Sequence, residues 1–122
     1  MFVAYQETDK KASVDRYSFT HDKSASGDDW KIAVNVTTKV NVYLGKSIKS
    51  LAIDDDQSIL YVADAENKRI DSVQYNTKML EASNSQTGLT STLYQTSHSL
   101  KAVTSMAVDY LGNIFWSVEE DG

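Results

Sequence analysis

The chain has 122 residues and contains no cysteine and no proline. The missing cysteine excludes a disulfide framework, a thiolate zinc site and a cysteine nucleophile. Histidine is nearly absent as well. His21 and His98 are the two in the chain, too few for a histidine-rich metal or acid–base centre. Basic residues number 12 against 17 acidic ones, a formal charge of −5. No nucleic-acid partner is expected, since such a partner calls for a basic face. Long apolar runs are missing too. Met1 to Tyr5 is apolar, but Gln6, Glu7, Thr8, Asp9 and Lys10 end that run at once, whereas a signal peptide needs a basic start and about 7–15 apolar residues. No stretch approaches the roughly 18 apolar residues of a membrane-spanning helix. The expectation is that the protein works where it is made or that a targeting segment lies outside this chain, and its compartment stays unassigned.

What the chain does have is 41% apolar and 10% aromatic residues. That is enough for a packed core rather than global disorder, in a length that suits one small domain. The apolar residues fall in short runs rich in Val, Ile, Tyr, Phe and Thr, separated by polar turns. Trp30, Ile32, Val34 and Val36 alternate onto one face. Shorter runs follow at 41–44, 51–53, 59–63, 70–75, 92–95, 103–108 and 114–118. This is the pattern of strands, and the fold class expected is all-β. A stretch at Asn76 to Ala82 is the one weak helical signal. Asp54 to Ser58 and Asp109 to Asn113 read as turns, because Asp and Asn bond back to the local backbone. Ser24 to Asp29 and Ala82 to Gly88 read as surface loops.

A repeat organises these runs. Lys46 to Asn67 lies over Lys101 to Gly122 at an offset of 55 with no gap. Lys46/Lys101, Ser50/Ser105, Ala52/Ala107, Asp54/Asp109 and Ile59/Ile114 are identical, and Leu51/Met106, Ile53/Val108, Leu60/Phe115 and Tyr61/Trp116 are conservative pairs. A weaker third copy sets Val3, Ala4 and Glu7 over Val62, Ala63 and Glu66, and Tyr17 over Tyr75 after a one-residue slip.

Leu51-Ala52-Ile53-Asp54, then Leu60-Tyr61-Val62-Ala63-Asp64, then Lys68-Arg69-Ile70 resembles a β-propeller blade of the NHL type or of the YWTD type of lipoprotein receptors. Met106-Ala107-Val108-Asp109 and Ile114-Phe115-Trp116-Ser117 give the second copy. The opening Gly of those families is Ser50 or Ser105 here, and the spacing exceeds the roughly 40–50 residues of common propeller repeats. Fainter similarity extends to the six-bladed yellow/royal-jelly-like propellers, whose cysteines are missing here, and to gluconolactonase-like ones. The resemblance implies four-stranded antiparallel blades. In it Ala52 and Ala107 suit a crowded inner strand, Leu60, Tyr61, Phe115 and Trp116 fill the space between sheets, and Asp54 and Asp109 tie the turns. Asp64 and Arg69 complete the signature.

The length holds about two blades, while a closed ring needs about four to eight. Residues 1–45 are then the end of one blade, 46–100 a full blade with an extended outer segment, and 101–122 the start of the next. The expectation is that the chain is part of a longer propeller. Completion of the ring by other copies or chains, and a small sandwich or barrel, are the alternatives.

No residue is assigned a catalytic, cofactor or metal role. Asp54-Asp55-Asp56 brings three acidic oxygens together, as calcium would want, but lacks EF-hand spacing, so an exposed turn is the preferred reading. Asp64 to Asn67 and Glu119 to Gly122 occupy equivalent repeat positions and read as solvated loops. His21 and His98 read as surface residues. Lys10-Lys11 and Lys68-Arg69 match blade positions where a base pairs with a neighbouring acid. Asn35-Val36-Thr37 meets the N-glycosylation rule, although in an expected strand. The function expected is a non-catalytic protein-interaction or structural scaffold. Its partners would be other proteins or the remaining blades, its contact surfaces 76–101 and the loop from His21 to Asp29, and no cofactor is expected. The alternatives are a metal-dependent lactonase or esterase, in which Ca²⁺ could sit, and a yellow-like small-ligand binder.

Overall fold

The computed structural model describes residues 1–23, 32–75, 90–95 and 103–118. They form nine strands and no helix: β1 (Phe2–Thr8), β2 (Lys11–Lys23), β3 (Ile32–Gly45), β4 (Ile48–Asp54), β5 (Ile59–Asp64), β6 (Arg69–Gln74), β7 (Thr90–Gln95), β8 (Val103–Val108) and β9 (Ile114–Val118). The protein is all-β. Every paired strand is antiparallel, in sheets ordered β1-β2-β3, β4-β5-β6-β7 and β8-β9. Neighbours in sequence are neighbours in the sheet, as short connections favour.

β2 and β3 are longer than the alternation suggests, at 13 and 14 residues. Register shifts between Val14 and Asp15 and between Ser18 and Phe19 break the period of two without ending the pairing. The first shift lets Val42 and Tyr43, adjacent in sequence, both be buried, as a bulge allows. His21 to Lys23, expected in a loop, belong to β2 and pair with Ile32 to Val34. Residues 24–29, 76–89 and 96–102 lie outside the described residues, as do His98 and Glu119 to Gly122.

The sheet β4–β7 is covered on both faces. On one, Leu60, Val62 and Val73, all without exposure, meet Val14 and Val42 of the first sheet, with Tyr43 and Tyr75. On the other, Ala52, Tyr61, Ala63 and Ile70 meet Val103 and Met106 of the third, flanked by Val108 and Ile114. Odd and even positions of β5 thus serve two cores, because successive side chains of a strand point to opposite faces. Each fully buried aliphatic contributes about 1.5–3 kcal/mol. This two-sided burial explains why Leu60 to Ala63 is a continuous apolar run rather than an alternating one.

The turns follow from local chemistry. Asp55 to Ser58 and Ala65 to Lys68 each close with a backbone bond from the fourth residue to the first, at 3.3 and 3.1 Å, and carry their fourth residue at positive φ. In the β8–β9 turn the positive-φ residue is Gly112, at 82°, one position earlier than the repeat alignment sets it. The loop is correspondingly one residue longer. Ala52 pairs with Tyr61 in the first hairpin, whereas Ala107 pairs with Phe115 and Met106 with Trp116 in the second. A one-residue slip exchanges the faces of a strand.

Candidate functional site

Two features stand out, a buried polar network and an exposed aromatic face. The network begins at Asp64, the last residue of β5, which is wholly buried. Its carboxylate accepts hydrogen bonds from the backbone N–H groups of Lys46 and Ser47, at 3.1 and 3.0 Å, and from Asn67 Nδ2 at 2.7 Å. Tyr43 Oη donates to Asp71 Oδ2 at 2.6 Å and lies 3.3 Å from Asp64 Oδ2. Arg69 Nε donates to the same Asp71 oxygen at 2.7 Å, and Thr92 Oγ1 to the other at 2.9 Å. Burial, and then the bond to Asp71, push the Tyr43 phenol far above its ordinary range, so it acts as a donor. The network joins β3 to β5, β6 and β7. Gly45 stands beside it: a Cβ there would run into the Asp64 carboxylate and sit 2.7 Å from Tyr43 Cε1.

The far face of the first sheet is polar. Asp15 is buried, with Asn41 Nδ2 3.0 Å from Oδ1 and the Lys39 ammonium 3.2 Å from Oδ2. Burial works against ionisation of Asp15, but Asn41, Tyr5 and Lys39 together outweigh it and hold the pKa below the usual carboxylate value. The Lys39 ammonium also lies 6.0 and 5.9 Å from the Tyr5 and Tyr17 ring centres.

The outer side of β8–β9 contrasts with this. Neither strand carries a charged residue. Ser105, Ala107, Phe115 and Ser117 are exposed, Phe115 at 59%. They line a shallow concavity of about 290 Å³ together with Met106 and Trp116. Trp116 reaches the other way, 5.5 Å from the ring of Tyr94 on β7. Tyr94 and Leu93 are themselves exposed, at 42% and 51%.

The repeat positions separate accordingly. Ala52 and Tyr61 are buried between sheets. Asp54 Oδ1 accepts the N–H of Gln57 at 3.1 Å. Asp109 accepts the N–H groups of Leu111 and Asn113 at 2.9 and 2.8 Å, and the Asn113 side chain foremost holds its carboxyl below the usual pKa. Arg69 pairs with Asp71. Trp116 lies beside Tyr94 of the neighbouring sheet, while Ala107 and Phe115 are exposed. Leu60 is wholly buried and Tyr61 nearly so, but on β9 the slipped register turns Phe115 outward, and among the described residues nothing covers that face.

Asp55 accepts the Tyr75 hydroxyl at 2.8 Å, so two of the three carboxylates in the Asp54–Asp56 run serve protein donors. Among the described residues no group of three or more metal-ligating side chains is gathered, and no helix is long and apolar enough to cross a membrane. Asn35 lies in β3 opposite Thr20. Tyr43, Asp71 and Thr92 went unmarked in the sequence reading. The available signal was Asp71 itself, a carboxylate in mid-strand two residues after Arg69.

Comparison with protein-family models, with curated proteins and with solved structures finds no match to this chain.

Proposed function

We propose that the chain is a non-catalytic interaction or structural module, built from successive sheets in the manner of β-propeller blades. It acts by presenting side chains on a stacked, rigid scaffold to protein partners or to further blades. The observation that supports this most is the two-sided burial of β4–β7 between its sequence neighbours, followed by a next face of the same small-and-aromatic composition that nothing covers among the described residues. Ala52, Tyr61 and Ala63 are covered by β8–β9, while Ala107, Phe115 and Ser117 stand exposed. Stacked sheets of repeated sequence bury each other's faces rather than their own, and an open apolar face on a folded protein marks a contact site. The polar far face of β1–β3, with Lys39 and Asp15 paired on it, gives the stack two unlike ends.

The test is native mass spectrometry of the particle that carries the protein, alongside turnover assays on lactones and aryl esters with and without a chelator. The expected result is a stoichiometric assembly or a longer chain, and no chelator-sensitive turnover. A lone chain of 122 residues without partners overturns the reading. So does chelator-sensitive hydrolysis, which would favour a metal-dependent lactonase or esterase.

A further inference from the structure

We infer that Asp15, Tyr5 and Tyr17 form a binding site for a guanidinium cation, such as an arginine side chain carries, and that Lys39 is its internal stand-in, displaced when the ligand enters. The site lies on the polar far face of the first sheet. It is separate from the β8–β9 face behind the proposed function, and it stands or falls without that reading.

The pairing of three strands builds it. Asp15 is on the middle strand, opposite Val3 of β1 and Asn41 of β3. Side chains two apart on a strand share a face, so Tyr17 flanks Asp15 along β2. Tyr5, two residues on from Val3, flanks it diagonally on β1, within the reach of an aromatic side chain. Lys39 is the cross-strand partner of Tyr17 and leans back over the carboxylate. A buried anion is thus walled by two tyrosine rings, with the Lys39 ammonium among them.

Asp15 supplies the observation that points to a ligand. It is 1% exposed, and its Oδ1 is served by Asn41. Its Oδ2 is buried too, and among the described residues it accepts no aligned hydrogen bond. Tyr5 and Lys39 both act on this carboxylate from close by, Lys39 at 3.2 Å from Oδ2, but neither directs a donor at that oxygen. A buried charged oxygen left without a donor is costly, so a cation that aligns one gains what Lys39 forgoes.

Lys39 fits the rest of the site poorly as well. Its ammonium is 6.0 and 5.9 Å from the Tyr5 and Tyr17 ring centres, at the limit of about 6 Å for attraction between a cation and a ring face. Its side chain is 56% exposed, and an ammonium holds its water strongly. A guanidinium answers each point. It is flat and weakly hydrated, stacks on aromatic faces, and directs N–H groups along fixed lines to a carboxylate. Exchange of one cation for another keeps Asp15 paired before and after, so the buried charge is not stranded. Lys39 needs only to swing into water, and the net charge of −5 favours a cation's approach.

The probes are the peptide acetyl-Gly-Arg-Gly-amide, its lysine counterpart and tetramethylammonium. Each is titrated into the whole protein at constant ionic strength and followed by NMR of backbone amides and tyrosine rings. The expected result is saturable shifts at Tyr5, Asp15, Tyr17 and Lys39, half-complete near about 10 mM as suits a lone side chain, with the lysine peptide about tenfold weaker or more. Lys39→Gln removes the stand-in and should tighten binding of the arginine peptide about tenfold. Lys39→Arg puts a tethered guanidinium in place and should abolish it, with the fold kept and an unchanged circular dichroism spectrum to verify that. Free arginine, run alongside, separates a small-molecule ligand from a side chain on a partner: tighter binding of the free amino acid favours the first, of the peptide the second, and either supports the site. No saturation up to about 100 mM overturns the inference. Equal affinity for the lysine peptide or for tetramethylammonium, or binding that neither Lys39 variant alters, overturns it as well.

Discussion

Tyr43 on β3 gives its hydroxyl to Asp71 on β6 across 2.6 Å, and with it the first sheet is bonded to the interior of the second. Both residues are buried, so the bond is made where water cannot replace it. Tyr43→Phe keeps the ring and removes the donor, leaving Asp71 with Arg69 and Thr92 only. The expected cost is about 1.5–3 kcal/mol, the usual worth of a hydrogen bond to a charged group, read as a lower urea midpoint at unchanged slope.

Gly45→Ala tests the same corner by volume. The added methyl would meet the Asp64 carboxylate and the Tyr43 ring, neither of which can yield without losing a hydrogen bond. A loss of about 1–3 kcal/mol is expected, with a lower Tm by differential scanning calorimetry. An unchanged Tm would mean that the corner is looser than the geometry describes.

The unequal burial of the repeat copies makes a paired prediction. Leu60→Ala should cost about 2–5 kcal/mol, for lost burial and the cavity left. The aligned Phe115→Ala should change stability by about 0.5 kcal/mol or less, since the ring is 59% exposed. Equal losses in chemical denaturation would show that Phe115 is covered in solution.

Stability should fall at both ends of the pH scale. Asp15 is held below its ordinary carboxyl value of 3.8. A depressed folded pKa gives stability that is present above the unfolded value and is lost as pH falls through the folded one. Urea midpoints should therefore drop below about pH 4, and Asp15→Asn should flatten that limb. Tyr75 is pushed up to about 12, first by burial and then by its bond to Asp55. A raised folded pKa gives stability present below the unfolded value of 10.0 and lost as pH rises from there toward about 12. Ultraviolet titration should show Tyr75 ionising late, and Tyr75→Phe should reduce the alkaline loss.

Much of the architecture was legible in the sequence. Period-two runs without helical spacing announce an all-β chain, and Leu51 to Asp54 with Ile59 to Asp64 announces a hairpin. The bulges of β2–β3 were not legible, because a bulge erases the alternation that would reveal a long strand. The register of β9 was hidden differently. The repeat aligns without a gap, yet Gly112 takes the positive-φ position one residue before its counterpart, and conformation rather than length moves the pairing. The Tyr43–Asp71 bond links residues 28 apart on separate sheets, so no local pattern signals it.

β5 has a consequence for how the molecule comes apart. Its even-numbered apolar positions belong to one core and its odd-numbered ones to the other, so neither core can open without stripping a strand the other needs. The two cores therefore form one cooperative unit. The amides of β5 should be among the last to exchange with deuterium, at the free energy of global unfolding, while β1, β7 and β9 fray first.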